Sequence, residues 1–328
     1  MKALIIDQKS EKPVMVMGEH PTPAAGNGEL LVKVKATALN RADLMQKSGK
    51  YPPPDGTSTI LGLEMAGVVE KVGEGVERYK PGDRVYGLLA GGGYAEYCTI
   101  HQDLAMIIPE QYSYEEAAAI PEVFLTAYQA VIWLGKLQER ETILIHAGAS
   151  GVGTAAVQLC RKLKNARVIT TTGSDEKCTL TASLGSDLCI NYNDENYAHS
   201  LQDTFGENCV NVIIDFVGSP YWDLNMDVLA MDGRLVYLSF LGGATIEKLS
   251  LAPILRKRLT IVGSTLRNRS NEYKIKLTTD FQEATGKLFE SENLKPIIDS
   301  VVNWMDVEEA HSRMKKNLNA GKIVLTGM

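Results

Sequence analysis

Between residues 142 and 263 the chain alternates short apolar runs with helix-like runs. ETILIHAG, RVITTTG, DLCINY, VNVIIDFVG, RLVYLSF and LTIVGS read as strands. GTAAVQLCRKL, SDEKCTLTASLG and YWDLNMDVLAMDG read as helices between them. The strands are continuous apolar runs, which is the pattern of a sheet covered on both faces. Strands joined through helices in this way build a parallel, doubly wound sheet, so the middle of the chain is expected to be an α/β unit.

The first strand of that series runs into HAGASGVGTAAVQL, residues 146–159. Glycine is costly inside a helix, so Gly148, Gly151 and Gly153 at a helix mouth need a reason. After a strand and before a helix they fit a phosphate-binding turn, where free N–H groups and the helix dipole meet a pyrophosphate. Gly148-Ala149-Ser150-Gly151-Val152-Gly153 matches the dinucleotide fingerprint, with Ser150 in place of its middle glycine. NAD-preferring sites place an acid at the end of the next strand. Here Gly173 and Ser174 stand there, with Lys177 one helical turn on. A hydroxyl and an ammonium suit a 2′-phosphate, so the expected cofactor is NADPH. Asp175 and Glu176 argue the other way, although acids also favour a helix start. Tyr192 is placed to cover the same phosphate or the adenine, or is an ordinary strand-end tyrosine.

The first third of the chain reads differently. MKALIID, ELLVKVKATAL, EMAGVVEKVG, GDRVYGLL and GGYAEYCTI are short strands punctuated by Gly and Pro, as in a barrel or sandwich. SYEEAAAIPEVFLTAYQAVIWLG reads as a helix capped by Ser113. The tail holds a charged helix-like stretch and ends on KIVL, a strand returning to another sheet. A net charge of −6 argues against a general nucleic-acid binder. No run approaches the length of a membrane span and no signal peptide is visible, so a cytoplasmic protein is expected. The five cysteines show no paired spacing and are read as free thiols. His20, His101, His146, His199 and His311 form no obvious pair, and His146 is read as structural.

GLEMAGVVEKVGEGVERYKPGDRVYGL, ALNRADLMQKSGKYPPP, AAAIPEVFLTAYQA, HAGASGVGTAAVQL and NAGKIVL together resemble the zinc-free quinone oxidoreductases of the medium-chain dehydrogenase/reductase superfamily. The resemblance covers nearly the whole chain. It implies a GroES-like β-rich catalytic domain over 1–122 and 265–328, and a Rossmann nucleotide-binding domain over 123–264. Zinc-dependent relatives carry ligands where this chain has Asn40, Leu63 and the neighbourhood of Glu122, so no metal is expected. The resemblance points to Asn40, Asp43 and Tyr51 as the pocket wall. Asn40 would offer an amide donor, Tyr51 a ring face or hydroxyl, and Asp43 a brace for the loop. It also places Thr126, Ser150 and the Phe240-Leu241-Gly242 turn beside a nicotinamide, with backbone groups of the turn holding its carboxamide. The implied activity is hydride transfer from NADPH to a small quinone, with an enone or enoyl C=C reductase as the close rival. A low-turnover sensor or RNA binder is the reading from another class. Its one feature is the basic stretch 256–274, more simply read as a solvated helix end and loop. LTIVGS is expected at a sheet edge, and pairing it across a two-fold axis would give a homodimer.

Overall fold

The computed structural model describes residues 1–7, 13–193 and 197–328. The chain opens with strands β1 (Lys2–Asp7) and β2 (Val14–Glu19), an antiparallel pair forming a sheet of its own. β3 (Glu29–Ala38), helix α1 (Arg41–Lys47), β4 (Glu64–Val72), β5 (Arg84–Leu88), β6 (Tyr97–His101) and β7 (Ala105–Ile107) follow. Helices α2 (Tyr114–Ala118) and α3 (Pro121–Tyr128) come next. The alternating region comprises β8 (Thr142–Ile145), α4 (Gly151–Lys164), β9 (Arg167–Thr172), α5 (Asp175–Ser183), β10 (Leu188–Asn191) and α6 (Tyr197–Phe205). It continues with β11 (Val210–Asp215), α7 (Trp222–Val228), β12 (Leu229–Tyr237), α8 (Ala252–Arg256) and β13 (Thr260–Gly263). After it stand α9 (Asn271–Glu290), β14 (Ile298–Asn303), α10 (Val307–Lys315) and β15 (Lys322–Thr326).

These elements form two compact units, Met1–Leu125 with Leu266–Met328, and Thr126–Thr265. In the first, the larger sheet runs β14-β15-β3-β4-β5-β7, with β6 also on β3. β3 is long enough for its first half to pair with β6 and its last residues with β15. β15 thus lies inside the sheet, parallel to β14 and antiparallel to β3. Ala3, Leu4, Leu39, Leu61, Trp304 and Ile323 share one core cluster. Leu30, Val32, Met65 and Val85 share another.

The second unit is a six-stranded parallel sheet in the order β10-β9-β8-β11-β12-β13. Every residue of β8 is buried, as its unbroken apolar character requires. The strand order reverses between β8 and β11, the place where such sheets open a crevice at their carboxyl ends. β13 occupies one edge, as its position in the series suggested. Among the described residues, no helix is long and apolar enough to cross a membrane.

The structure departs from the sequence reading in four places. The helix capped by Ser113 is broken, because Pro121 lacks the N–H that would continue α2 and instead begins α3. Residues Gln129–Leu134 then loosen into a π-helical turn. YWDLNMDVLAMDG stops being helical at Val228, and its last residues form an irregularity at the start of β12. α6 was not foreseen, because Leu201 and Phe205 are its main inward apolar positions. The fourth departure concerns the cysteines. Cys178 on α5 and Cys189 on β10 are joined as a disulfide, with Cα atoms 5.2 Å apart. Only Cys98, Cys160 and Cys209 are free. The chain reverses at Gly185 (φ +110°), which lays β10 back beside α5 and brings the two thiols together.

Candidate active site

The parallel unit presents the glycine turn at the carboxyl end of β8. Ser150 caps α4: its hydroxyl accepts from the Gly153 N–H at 3.0 Å. The N–H groups of Gly151 and Val152 have no partner among the described residues. They are the unsatisfied donors of a helix start. Gly153 has no room for a side chain, since a Cβ there would lie 2.4 Å from the Ala147 carbonyl oxygen and 2.5 Å from that of Gly148. The turn is therefore folded tightly on itself while its outward donors remain open. That is the donor set a pyrophosphate needs.

At the end of β9, Ser174 caps α5 and accepts from the Lys177 N–H at 3.3 Å. The Tyr192 hydroxyl lies over Gly173, 2.6 Å from where a Cβ would stand. Asn193 donates to the Gly173 carbonyl at 2.9 Å. The two acids near this turn have local duties. Asp175 accepts from Asn191 at 3.1 Å. Glu176 is held below the ordinary carboxylate range by its own N–H and the Ser174 hydroxyl. Thr126 is 9% exposed and its Oγ1 is buried without a hydrogen-bond partner, an orphaned polar atom that a ligand would satisfy. In the 240–242 turn, the Leu241 and Gly242 N–H groups already donate to Phe216 and Val217 carbonyls, at 2.9 and 2.8 Å. Only the Phe240 N–H of these three is left to hold a carboxamide.

His146 is buried behind the glycine turn. Its Nε2 faces Asn225 Oδ1 at 2.9 Å, and Asn225 Nδ2 donates to Asp215 at 2.8 Å. That orientation makes Nε2 the protonated nitrogen and leaves Nδ1 to accept from the Thr171 hydroxyl at 3.0 Å. Burial lowers its pKa, against the pull of Asp215 and Asn225. Asp215 in turn ties down the loop after β11 by accepting from the N–H groups of Val217 and Gly218. His146 is a structural member of this network.

The first unit carries a different kind of centre. Lys322, on the interior strand β15, is 3% exposed, and Glu64, at the start of β4, is 0% exposed. The Lys322 ammonium lies 2.7 Å from Glu64 Oε1 and donates to Asn40 Oδ1 and the Leu39 carbonyl, both at 2.7 Å. Asn40 Nδ2 donates to Glu64 Oε1 at 2.8 Å and to the Ala38 carbonyl at 3.3 Å. Glu64 Oε2 accepts from the Glu122 N–H at 2.8 Å. The Asn40 amide is thus spent within the fold, and its expected role as a donor to substrate has no free hydrogen behind it.

Asp43 closes the capping box of α1, accepting from the Asn40 N–H at 2.7 Å and from Gly62 at 3.1 Å. Through these bonds it ties the start of α1 to the loop at Gly62. Burial pushes its carboxyl up to about 6, against those two backbone donors. The Tyr94 hydroxyl donates to Asp43 at 3.3 Å and faces His311 Nε2 at 3.3 Å. Burial lowers His311 to about 4. This Asp43–Tyr94–His311 line was invisible in sequence, because its members are 51 and 217 residues apart. Tyr51 stands 5.5 Å beneath the Arg267 guanidinium, and burial raises its hydroxyl.

The basic stretch 256–274 is mixed: Arg256, Arg258 and Arg269 are exposed, as a solvated helix end and loop requires, and the other basic residues are built into the fold. Lys257 caps α7 by donating to the carbonyls of Met226, Asp227 and Leu229. Arg258 grips Asp232 with two hydrogen bonds, at 2.7 and 2.6 Å. Arg267 and Lys274 are buried.

Two family models match the chain: the alcohol dehydrogenase GroES-like domain over residues 26–110 and the zinc-binding dehydrogenase over 151–283. Quinone oxidoreductase-like protein 2 of Bos taurus is 30% identical over 317 residues, covering 96% of this chain and 90% of that protein. The chain is a medium-chain dehydrogenase/reductase. The structure of Escherichia coli quinone oxidoreductase complexed with NADPH superimposes on this chain with a TM-score of 0.86 over all of both chains, at 29% identity. The CurK enoyl reductase does so with a TM-score of 0.85 at 26% identity, over 99% of this chain and 98% of that one.

At two of the positions where the resemblance puts zinc ligands, the chain has Asn40, whose amide is spent, and the buried Leu63. Both oxygens of the neighbouring Glu64 carboxylate are engaged by Lys322, Asn40 and the Glu122 N–H. Among the described residues, no three His, Cys, Asp or Glu side chains are grouped to hold a metal ion.

Proposed function

We propose that the chain is an NADPH-dependent, zinc-independent quinone oxidoreductase. The observation that carries this reading is the open dinucleotide cradle at the mouth of α4, where the Gly151 and Val152 N–H groups have no partner among the described residues. Gly148, Ser150, Gly151, Val152 and Gly153 hold the pyrophosphate in this reading. Gly173, Ser174, Lys177 and Tyr192 hold the adenosine 2′-phosphate, and Thr126 with the 240–242 turn meets the nicotinamide. When bound, NADPH supplies hydride. The chain's own part is to orient the acceptor and exclude water, which suits an acceptor that is already electrophilic. The 2′-phosphate assignment rests on a serine-capped turn whose acids are already engaged by Asn191, Ser174 and the helix start.

The same machinery serves reduction of an activated C=C bond, and the likeness to an enoyl reductase favours that as the second reading. NADPH oxidation by the purified protein, with a small naphthoquinone and an enone in parallel, tests both. Fast turnover on the quinone and slow turnover on the enone is expected. The reverse preference moves the function to C=C reduction, and no turnover on either overturns both. The open edge of β13 supports a homodimer paired across a two-fold axis. Light scattering that shows a monomer at working concentration overturns that.

A further inference from the structure

Two cationic residues of the first unit, Arg267 and Lys274, have little exposed surface. Arg267 is 6% exposed. Its Nε donates to the Ala90 carbonyl at 2.8 Å and its Nη2 to Gln46 Oε1 at 2.7 Å. Its Nη1 is buried and has no partner. Lys274, in the first turn of α9, is 7% exposed and lies near enough for the Arg267 charge to depress its pKa further, after burial. Among the described residues neither cation makes an ion pair with a carboxylate. Lys322 is as buried as these two, but it has Glu64. The Asp43 carboxylate favours the Arg267 charge from a distance, so it is the buried, unpartnered Nη1 that marks a place where negative charge is to arrive.

We propose that Arg267 Nη1 is the donor for the oxygen of the acceptor that takes up negative charge during reduction, with Lys274 adding positive potential behind it. This rests on the oxidoreductase reading above and gives it a residue. A quinone that accepts a hydride gains two electrons and one proton and becomes the hydroquinone monoanion, with its charge on oxygen. A proton from water then completes the hydroquinone. An enone likewise passes through an enolate oxygen before water protonates its carbon. In both cases the group required is a fixed donor that never loses its own proton, which describes a guanidinium. Donors aimed at developing charge in a water-poor site are an effective form of transition-state stabilisation. Tyr51, partly buried, holds its ring 5.5 Å from the guanidinium carbon. Its ring offers a flat acceptor a surface to lie against.

4-Nitrophenol tests the site without turnover, because its phenolate and phenol forms absorb at different wavelengths. Titrated with the full-length protein in a buffer below its solution pKa, it is expected to bind and show the phenolate band. Arg267→Gln keeps a donor for Ala90 and is expected to weaken binding of the phenolate about 10- to 100-fold, the range for a hydrogen bond to a charged group. Lys274→Gln, which removes charge alone, is expected to have a smaller effect in the same direction, and Arg267→Lys to restore part of the loss. Unchanged NADPH affinity and thermal unfolding in the variants separate this from general damage. Failure of nitrophenol to bind, binding as phenol, or phenolate binding unchanged by Arg267→Gln overturns the proposal. A phenolate band without quinone or enone turnover leaves the oxyanion site standing and removes the reductase reading. Turnover without the band does the opposite.

Discussion

At the mouth of α4 the Gly151 and Val152 N–H groups meet no acceptor, whereas around Asn40 each side-chain polar atom is already bonded. The two regions solve opposite problems. The glycine turn lies at the end of a parallel sheet, where open donors stay solvated until an anion replaces water. The Asn40 centre lies under a β-sheet core, where an open donor or a lone charge would be costly, so the fold satisfies it internally. A site that receives a ligand is recognised by what it leaves unbonded. Arg267 and Thr126 keep buried atoms without a partner, whereas the Asn40 amide is fully bonded.

The largest effect is expected where the internal satisfaction is broken. Lys322→Met leaves Glu64 charged and buried and should cost about 3–5 kcal/mol in denaturant unfolding, the range for removing one partner of a buried pair. Adding Glu64→Gln in the same chain should recover much of it. A single-variant loss below about 1 kcal/mol would show that the pair does not hold the centre together.

Next in size is a pH effect that is concealed in the native chain. Asp43 sits at about 6, above its unfolded value, so its contribution to stability is full below about pH 4 and is lost as the pH rises through 6. His311 sits at about 4, below its unfolded value, so its contribution is full above about pH 6.5 and is lost as the pH falls through 4. The two slopes oppose each other over one window. His311→Phe should uncover the Asp43 slope, a loss of about 2–3 kcal/mol relative to the native chain between pH 4 and 6.5. Parallel stability curves for the two proteins would mean that His311 does not titrate as its burial requires.

On the receiving side, Gly153→Ala forces a Cβ against the carbonyls of Ala147 and Gly148 and should lower stability by about 1–3 kcal/mol, with a loss of NADPH affinity by fluorescence titration. Lys177→Ala is the finest probe. It should weaken NADPH by about 1–3 kcal/mol while NADH binding barely changes. Equal losses for both cofactors would move the 2′-phosphate elsewhere.

What could be read in advance follows from the range of each interaction. The strand–helix alternation, the edge position of β13 and the serine cap at 113 are local patterns, and they stand in the structure where the residues suggested. The Lys322–Glu64 pair was not legible, since nothing near NAGKIVL says which strand will lie beside it. The Cys178–Cys189 bond escaped because it depends on the reversal at Gly185 rather than on a spacing motif. Arg267 was read as one charge in a basic run, and only its burial without a carboxylate sets it apart.

The interior place of β15 has a consequence for synthesis. Glu64 is made 258 residues before Lys322, so at about 5–20 residues per second the carboxylate waits roughly 13–50 seconds for its ammonium. The parallel unit, drawn from one continuous stretch, has no such wait. Until β15 inserts between β14 and β3, the first unit holds an open seam with an unneutralised acid at its centre. The last strand to arrive therefore acts as the closing key of the β-rich unit, and a nascent chain stalled before it displays an unpaired β3 edge of the kind that chaperones and proteases act on.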